Sequence, residues 1–262
     1  NLSDVGISDQ QNSFHGLIVV EWHEFIENAL ERKETSIRKV HPDQTAYIIF
    51  TSGTTGKPKA VPISYASLHT YILWNNETFK YGPTDHCLAT ASIIFDASVR
   101  QLIAPLVANS TVHIIPRDVL LDPKNLFHFV KDNQITIWSS IPSLFEKFLC
   151  YIENNPGTNF DFLRIVKLGG EALPPEYVRR WQRLHGTKQQ IVNLYGPTET
   201  TINATYHIIR EKMGDEVHEI PIGKSLPYLN LKILNENGNI CKAGETGELY
   251  VSGKRSEEHT SE

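Results

Sequence analysis

The chain has 262 residues, 40% hydrophobic and 21% charged, with a formal net charge of −5, the balance of a globular protein that can bury a substantial core. That acidic balance argues against a nucleic-acid binder, with a local basic patch as the alternative, and no apolar run approaches the roughly 20 residues needed to span a bilayer. Neither a nucleic-acid nor a membrane partner is expected.

Cys87, Cys150 and Cys241 are odd in number and widely spaced, which favours a reduced, cytoplasmic chain over a disulfide framework or a zinc knuckle. None of the 11 histidines stands in a ligand spacing such as HxxxH, so no histidine metal site is expected.

Residues 1–44 are a polar, weakly patterned lead-in. They open NLSDVG with no initiator Met and no signal-like segment, as expected of a piece of a longer protein. From Thr45 onward short apolar strands alternate with amphipathic helices. Strands are expected at Tyr47–Phe50, Cys87–Ser92, Thr111–Ile115, Ile135–Ser139, Arg164–Leu168 and Ile191–Leu194. Asp122-Pro123 offers an N-cap and a first-turn proline to a helix carrying Leu126, Phe127 and Val130. Leu144, Phe145, Phe148, Leu149 and Ile152 share one face of a second helix. Tyr177, Val178, Trp181 and Leu184 line a third, entered through Pro174-Pro175.

Such alternation implies an α/β fold: mostly parallel strands with helices on both faces, over residues 45–220. After Pro221 the pattern becomes β. Leu231–Leu234 and Ile240-Cys241 flank NENGN, where Asn237-Gly238 suits a tight hairpin turn, and GELYVSG (247–253) is a further strand. Residues 221–254 are expected to begin a small β subdomain. The tail RSEEHTSE (255–262) is wholly polar and matches an in-frame translation of a sequencing adapter. The natural sequence is expected to end near Lys254, with a disordered polar terminus as the alternative.

The stretch FTSGTTGKPKA (50–60) joins a greasy strand to glycines, hydroxyls and two lysines. Backbone N–H groups freed by glycine can converge on an anion, and hydroxyls and ammonium groups add to them. Phosphate is the obvious guest. The generic P-loop pattern GxxxxGK[ST] does not fit, because Gly53 and Gly56 are too close together and Pro58 stands where a magnesium-binding hydroxyl belongs.

TSGTTGKPK resembles the phosphate loop of the adenylate-forming superfamily, which comprises acyl-CoA synthetases, luciferases and the adenylation domains of nonribosomal peptide synthetases. Phe50 and Ala60 replace a usual Tyr and Gly, which implies a tighter loop. Three further motifs follow in the family's order: FDAS at 95–98, GGEA at 169–172 and NLYGPTET at 193–200, with GELYVSG opening a fifth. The resemblance covers about residues 45–253.

It implies that Thr51, Ser52, Gly53, Thr54, Thr55, Gly56 and Lys59 cradle the β- and γ-phosphates of ATP, whose pyrophosphate leaves. Thr198 would touch phosphate and Glu199 would ligate Mg2+, a hard cation suited to carboxylate. Tyr195 would stack on adenine opposite Gly170, Glu171 and Ala172, with Asn193 reading the adenine amino group. Asp96 would pair with a substrate α-ammonium, the mark of amino-acid adenylation; its alternative role is the N-cap of the helix ASVRQLIAPLV. By the same resemblance Ala97, Arg100, Ser139, Lys167, Gly169, Leu194, Ile202 and Asn203 line the side-chain pocket. Arg100 and Lys167, if both face inward, would suit an acidic side chain; the alternative is that they point outward or pair with protein carboxylates.

The implied reaction joins an amino acid to ATP as aminoacyl-AMP, then passes the acyl group to a phosphopantetheine thiol on a peptidyl carrier domain. The family's ribose-binding TGD aspartate, hinge and catalytic lysine would lie beyond residue 254, so the fragment alone is expected to bind nucleotide weakly and not to turn over. An acyl-CoA or aryl-acid ligase of the same superfamily and a non-catalytic ATP-binding module are the competing readings.

Overall fold

The computed structural model describes residues 39–52, 57–157 and 159–253. The chain divides after Val40, and the unit from His41 holds every element named below. Strands β1 (Thr45–Ser52) and β2 (Pro58–Ser64) pair antiparallel. They form a two-stranded sheet of their own, outside the main one. The last pair in their register is Ser52 with Pro58, on either side of the glycine-rich stretch. Ser64 ends β2 and caps α1 (Tyr65–Phe79) by accepting a hydrogen bond from the Ser67 N–H. The helix stops at Lys80, whose left-handed backbone (φ 52°) turns its N–H onto the Asn76 carbonyl.

The main sheet is built from β3 (His86–Ala89), β4 (Thr111–Ile114), β5 (Ile137–Ser140), β6 (Ile165–Gly169), β7 (Gln190–Tyr195), β8 (Thr205–Ile209) and β9 (Lys224–Ser225). Its seven strands run in the order β4-β3-β5-β6-β7-β8-β9. The first five in that order are parallel, and β8 and β9 are antiparallel additions. The crossovers carry α2 (Ala97–Val107), α3 (Arg117–Leu121), α4 (Pro123–Asp132), α5 (Pro142–Asn154) and α6 (Pro175–His185). This is the mostly parallel, helix-flanked sheet that the alternation implied.

Period-two alternation along the strands sorts two cores. Leu88, Trp138, Val166, Leu168 and Ile191 face Leu126, Phe127, Phe145, Phe148 and Trp181 of α4, α5 and α6. Cys87, Ile137, Ile165, Val192 and Leu194 face Tyr71, Ile72, Trp74, Phe79 and Ala104 of α1 and α2. Asp122 caps α4 by accepting from the N–H groups of Lys124 and Asn125, as its position before Pro123 suggested.

A polar staple ties strand starts to the end of α1. Arg164 grips Asp85 with Nε and Nη2 at 2.8 and 2.7 Å, and donates to the carbonyls of Phe79 and Lys80, both at 2.8 Å. Asp85 also accepts from the Thr136 hydroxyl and the Gly82 N–H.

Two expected strands lose two or more residues at one end. The strand expected to run to Ser92 ends at Ala89, because the N–H groups of Thr90 and Ala91 turn onto Gln101 Oε1. Ile135 is not in a strand. Its N–H closes the end of α4 on the Val130 carbonyl, behind a left-handed Gln134 (φ 49°). Beyond the sheet, β10 (Leu229–Leu234) and β11 (Glu248–Gly253) pair antiparallel. Asn235 accepts from the N–H groups of Asn237 and Asn239 in the turn after β10, where Gly238 takes φ 76°.

Candidate active site

The strand order reverses beside β3. The chain steps from β3 outward to β4, then returns past β3 to β5 and continues the other way. Crevices at the carboxyl ends of such strands are where open α/β sheets hold ligands. The motif residues occupy those ends. Asp96 follows β3 at the start of α2; Ser139 is next to last in β5; Gly169–Ala172 leave β6; Asn193–Glu199 leave β7.

Asp96 does not act as the helix N-cap it could have been. Its own backbone is already helical (φ −61°, ψ −26°) and its side chain makes no cap hydrogen bond. Its Oδ2 is instead buried without a partner among the described residues. Burial pushes the carboxyl above the ordinary aspartate range, while Thr198, the Ala97 N–H and Arg100 pull it back and Glu199 adds to the rise. FDAS and YGPTE, a hundred residues apart in sequence, thus act on one carboxylate.

Arg100 lies one helical turn after Asp96. It is 6% exposed, donates from Nη1 to Ser139 Oγ at 3.0 Å, and leaves Nε buried and unpartnered among the described residues. Lys167, on β6, is 1% exposed. Its Nζ donates to Asn75 Oδ1 at 2.7 Å and to the Tyr81 hydroxyl at 3.1 Å, and lies 3.6 Å from the centre of the Phe79 ring. Burial, and then Arg100, holds its ammonium well below the ordinary lysine range. Neither cation points outward to water.

The residues expected on the adenine side are arranged more openly. Tyr195 ends β7 with 43% of its surface exposed, and Ala172 is exposed beyond β6. Gly170 sits at φ +85°, a conformation that favours glycine. The Glu171 carboxylate accepts from both the N–H and the hydroxyl of Ser143, each at 2.9 Å, near the N-terminus of α5. Asn193 donates from its amide to the Pro221 carbonyl at 3.0 Å, which leaves Oδ1 as its acceptor. Leu194 and Ile202 are buried in the core under α1. Gly169 approaches closely enough that a Cβ there would stand 2.7 Å from the Leu194 carbonyl oxygen.

Thr198–Thr200 form a single 3-10 turn, and Thr201 and Ile202 follow in left-handed backbone at φ 66° and 71°. For a β-branched pair that is costly, of order 1–3 kcal/mol each, and such strain collects where a turn must be held in one shape. Gly196 explains how the turn folds so tightly: a Cβ would meet the Ala204 nitrogen at 2.4 Å.

In the hairpin, Thr51 Oγ1 reaches the Lys59 carbonyl at 3.5 Å, and Ser52 and Lys59 are exposed. Gly53, Thr54, Thr55 and Gly56 lie outside the described residues. Among those described, no three His, Cys, Asp or Glu side chains gather to hold a metal. Glu199 is exposed, and its carboxylate is the kind of hard oxygen ligand that would suit Mg2+.

Three contributors were not read from the sequence. Gln101 holds the turn after β3 through the Thr90 and Ala91 N–H groups. Tyr71 donates its buried hydroxyl to Asn203 Oδ1 at 2.6 Å. Asn75 carries the Lys167 ammonium. All three are ordinary helix residues locally, and only their partners far along the chain give them a role.

Comparison with known proteins agrees with this geometry. A family described as AMP-binding enzyme matches residues 6–256. Tyrocidine synthase 3 of Brevibacillus parabrevis is 36% identical over 213 residues, covering 80% of this chain and 3% of that protein. The D-alanine–D-alanyl carrier protein ligase of Bacillus velezensis is 34% identical over 216 residues, covering 80% of this chain and 41% of the ligase. The adenylation domain AlmE of Vibrio cholerae, solved with glycyl-adenosine-5'-phosphate, superimposes with a TM-score of 0.69 at 31% identity, over 80% of this chain and 39% of that one. The chain thus spans less than half the length of each of these relatives. With its motifs in order and assembled at the carboxyl ends of the strands, the chain belongs to the AMP-binding enzyme family.

Proposed function

We propose that the complete protein activates an amino acid with ATP, forming an aminoacyl adenylate and pyrophosphate, and then hands the acyl group to the phosphopantetheine thiol of a carrier domain. A carboxylate oxygen of the amino acid attacks the α-phosphorus, the bond to the β-phosphate bridging oxygen breaks, and pyrophosphate leaves with that oxygen. Residues 51–59 supply donors and the Lys59 charge for the departing phosphates. Tyr195 and the Gly170–Ala172 backbone present flat surfaces to the adenine, and Asn193 Oδ1 is left to accept from its amino group. Thr198 positions phosphate, and Glu199 would hold Mg2+, which when bound neutralises charge that grows on the phosphate oxygens.

The observation that carries this reading is the Asp96 carboxylate, with Oδ2 buried and unpartnered. Buried acceptors are normally satisfied, and the α-ammonium of an amino acid would complete this one. The kinship with a carrier protein ligase and a peptide synthetase supports the choice of acceptor. Amino-acid-dependent exchange of pyrophosphate into ATP by the complete protein tests it. Exchange is expected with at least one amino acid and should fall by about 100-fold or more in Asp96→Ala, as for loss of a buried charge partner. Exchange driven only by acids lacking an amino group would reject it.

A further inference from the structure

We infer that the amino acid taken by this site carries a second carboxylate on its side chain, and that Arg100 is the specificity-determining residue that receives it. This rests on the amino-acid reading above. Asp96, immediately before α2 and already helical in backbone, and Arg100 within it stand four residues apart, and so on one face. Each has a side-chain atom buried and unpartnered among the described residues, Oδ2 in the first and Nε in the second. They influence one another electrostatically yet form no ion pair. The only hydrogen bond of Arg100 to a described residue is to a neutral hydroxyl, Ser139 Oγ.

Other ionisable groups near Arg100 or its neighbour Lys167 do not supply the missing negative charge. Tyr71 and Tyr81 are held protonated by burial, which pushes both phenols far up. Burial likewise pushes the Cys87 thiol up to about 12. Asp85 is committed to Arg164. Lys167 adds positive charge if anything, and its ammonium is already held by Asn75, Tyr81 and the Phe79 face. The sequence alone treated the two cations as equivalent. Their surroundings separate them: Lys167 is held on several sides, whereas Arg100 has one neutral partner and an unpartnered Nε.

The charge count then selects the ligand. The α-ammonium of the substrate answers Asp96. Its α-carboxylate is consumed in the bond to phosphorus and cannot answer Arg100. A neutral or cationic side chain would leave a buried guanidinium without an anion, which is costly. A side-chain carboxylate closes the balance, and the planar fork of arginine suits it.

The test is pyrophosphate exchange by the complete protein with two near-isosteric pairs, glutamate against glutamine and aspartate against asparagine, together with leucine and phenylalanine. One acid should exceed its amide by about 100-fold in kcat/KM, the scale on which loss of a charge partner is read. In Arg100→Gln that ratio should fall to within about tenfold of unity, mainly through loss of the acid. If the variant does not fold, the acid-to-amide ratio of the unaltered protein decides alone. Best exchange with leucine, phenylalanine or an amide overturns this inference and leaves the amino-acid reading standing. Exchange with no amino acid at all overturns both.

Discussion

Replacing Arg164 by Met tests whether the polar staple, rather than the apolar core alone, holds the starts of β3, β5 and β6 against the end of α1. Methionine keeps the aliphatic length and removes the guanidinium. The Asp85 carboxylate, whose side chain is 6% exposed, would lose two of its four donors and keep only the Thr136 hydroxyl and the Gly82 N–H. The carbonyls of Phe79 and Lys80 would each lose a donor as well. Removing one partner of a buried ion pair costs about 3–5 kcal/mol. The Arg164 side chain is 35% exposed, so water screens part of the pair, and the expected loss lies at the lower end, about 3 kcal/mol. Urea denaturation at neutral pH, with an unchanged slope, reads it directly.

The pH dependence supplies a second check. Burial raises the Asp85 pKa, but Arg164, Thr136 and Gly82 outweigh it, and the carboxyl sits below its ordinary range. A depressed carboxyl contributes stability that is complete above the unfolded value, about 3.9, and that is lost as pH falls through the folded value. The gap between wild type and variant should therefore narrow on acidification below about pH 4. A loss under about 1 kcal/mol at pH 7, or a gap that stays constant down to pH 3, would refute the reasoning.

Gly196→Ala drives a Cβ against the backbone of Asn203 and Ala204, at 2.5 and 2.4 Å. Backbone cannot step aside as a side chain can, so a loss of about 3 kcal/mol is expected, at the upper end of overpacking, along with loss of pyrophosphate exchange in the complete protein. Unchanged exchange would show that the turn tolerates the methyl. Phe148→Ala empties a fully buried position ringed by Trp138, Phe160 and Phe127 at 4.8, 5.6 and 6.4 Å between ring centres. The urea midpoint should report a loss of about 3–5 kcal/mol. His113, His185 and His207 are all held below the ordinary imidazole range by burial. The unfolded chain therefore binds protons that the folded one refuses, and thermal midpoints should fall as pH drops from about 7 to 5; midpoints that rise over that interval would contradict this.

The alternating strands and the helices α4, α5 and α6 were legible in the sequence because each carries its own periodicity. Asp122-Pro123 marked a helix start with nothing but local chemistry. The hairpin β1–β2 was not legible as a separate sheet. A buried-looking strand before the glycine loop suggests a member of the main sheet, and Pro58 and Pro62 argue against any strand after it. Both prolines are tolerated because a two-stranded sheet has only edges. Helix α1 was also missed. Asn75 and Asn76 interrupt its apolar pattern, yet Asn75 is fully buried because it serves Lys167, 92 residues away. No local rule anticipates a partner at that distance.

The motifs named the site, but the orphaned polar atoms give its chemistry. Buried side-chain atoms without partners among the described residues include the Tyr47 and Tyr228 hydroxyls, Asp96 Oδ2 and Arg100 Nε. Tyr71 interacts electrostatically with all four of these residues. The remaining orphans include the indole nitrogens of Trp138 and Trp181, whose side chains belong to the opposite core. An unsatisfied buried polar group costs about 1–3 kcal/mol. Scattered singly, such groups are tolerated imperfections of packing. Four that share one tyrosine as an electrostatic neighbour, a carboxylate, a guanidinium and two phenols, are what the proposed amino-acid ligand would satisfy. An apolar side chain would leave them without partners. A substrate with an ammonium at one end and an anion at the other would supply them.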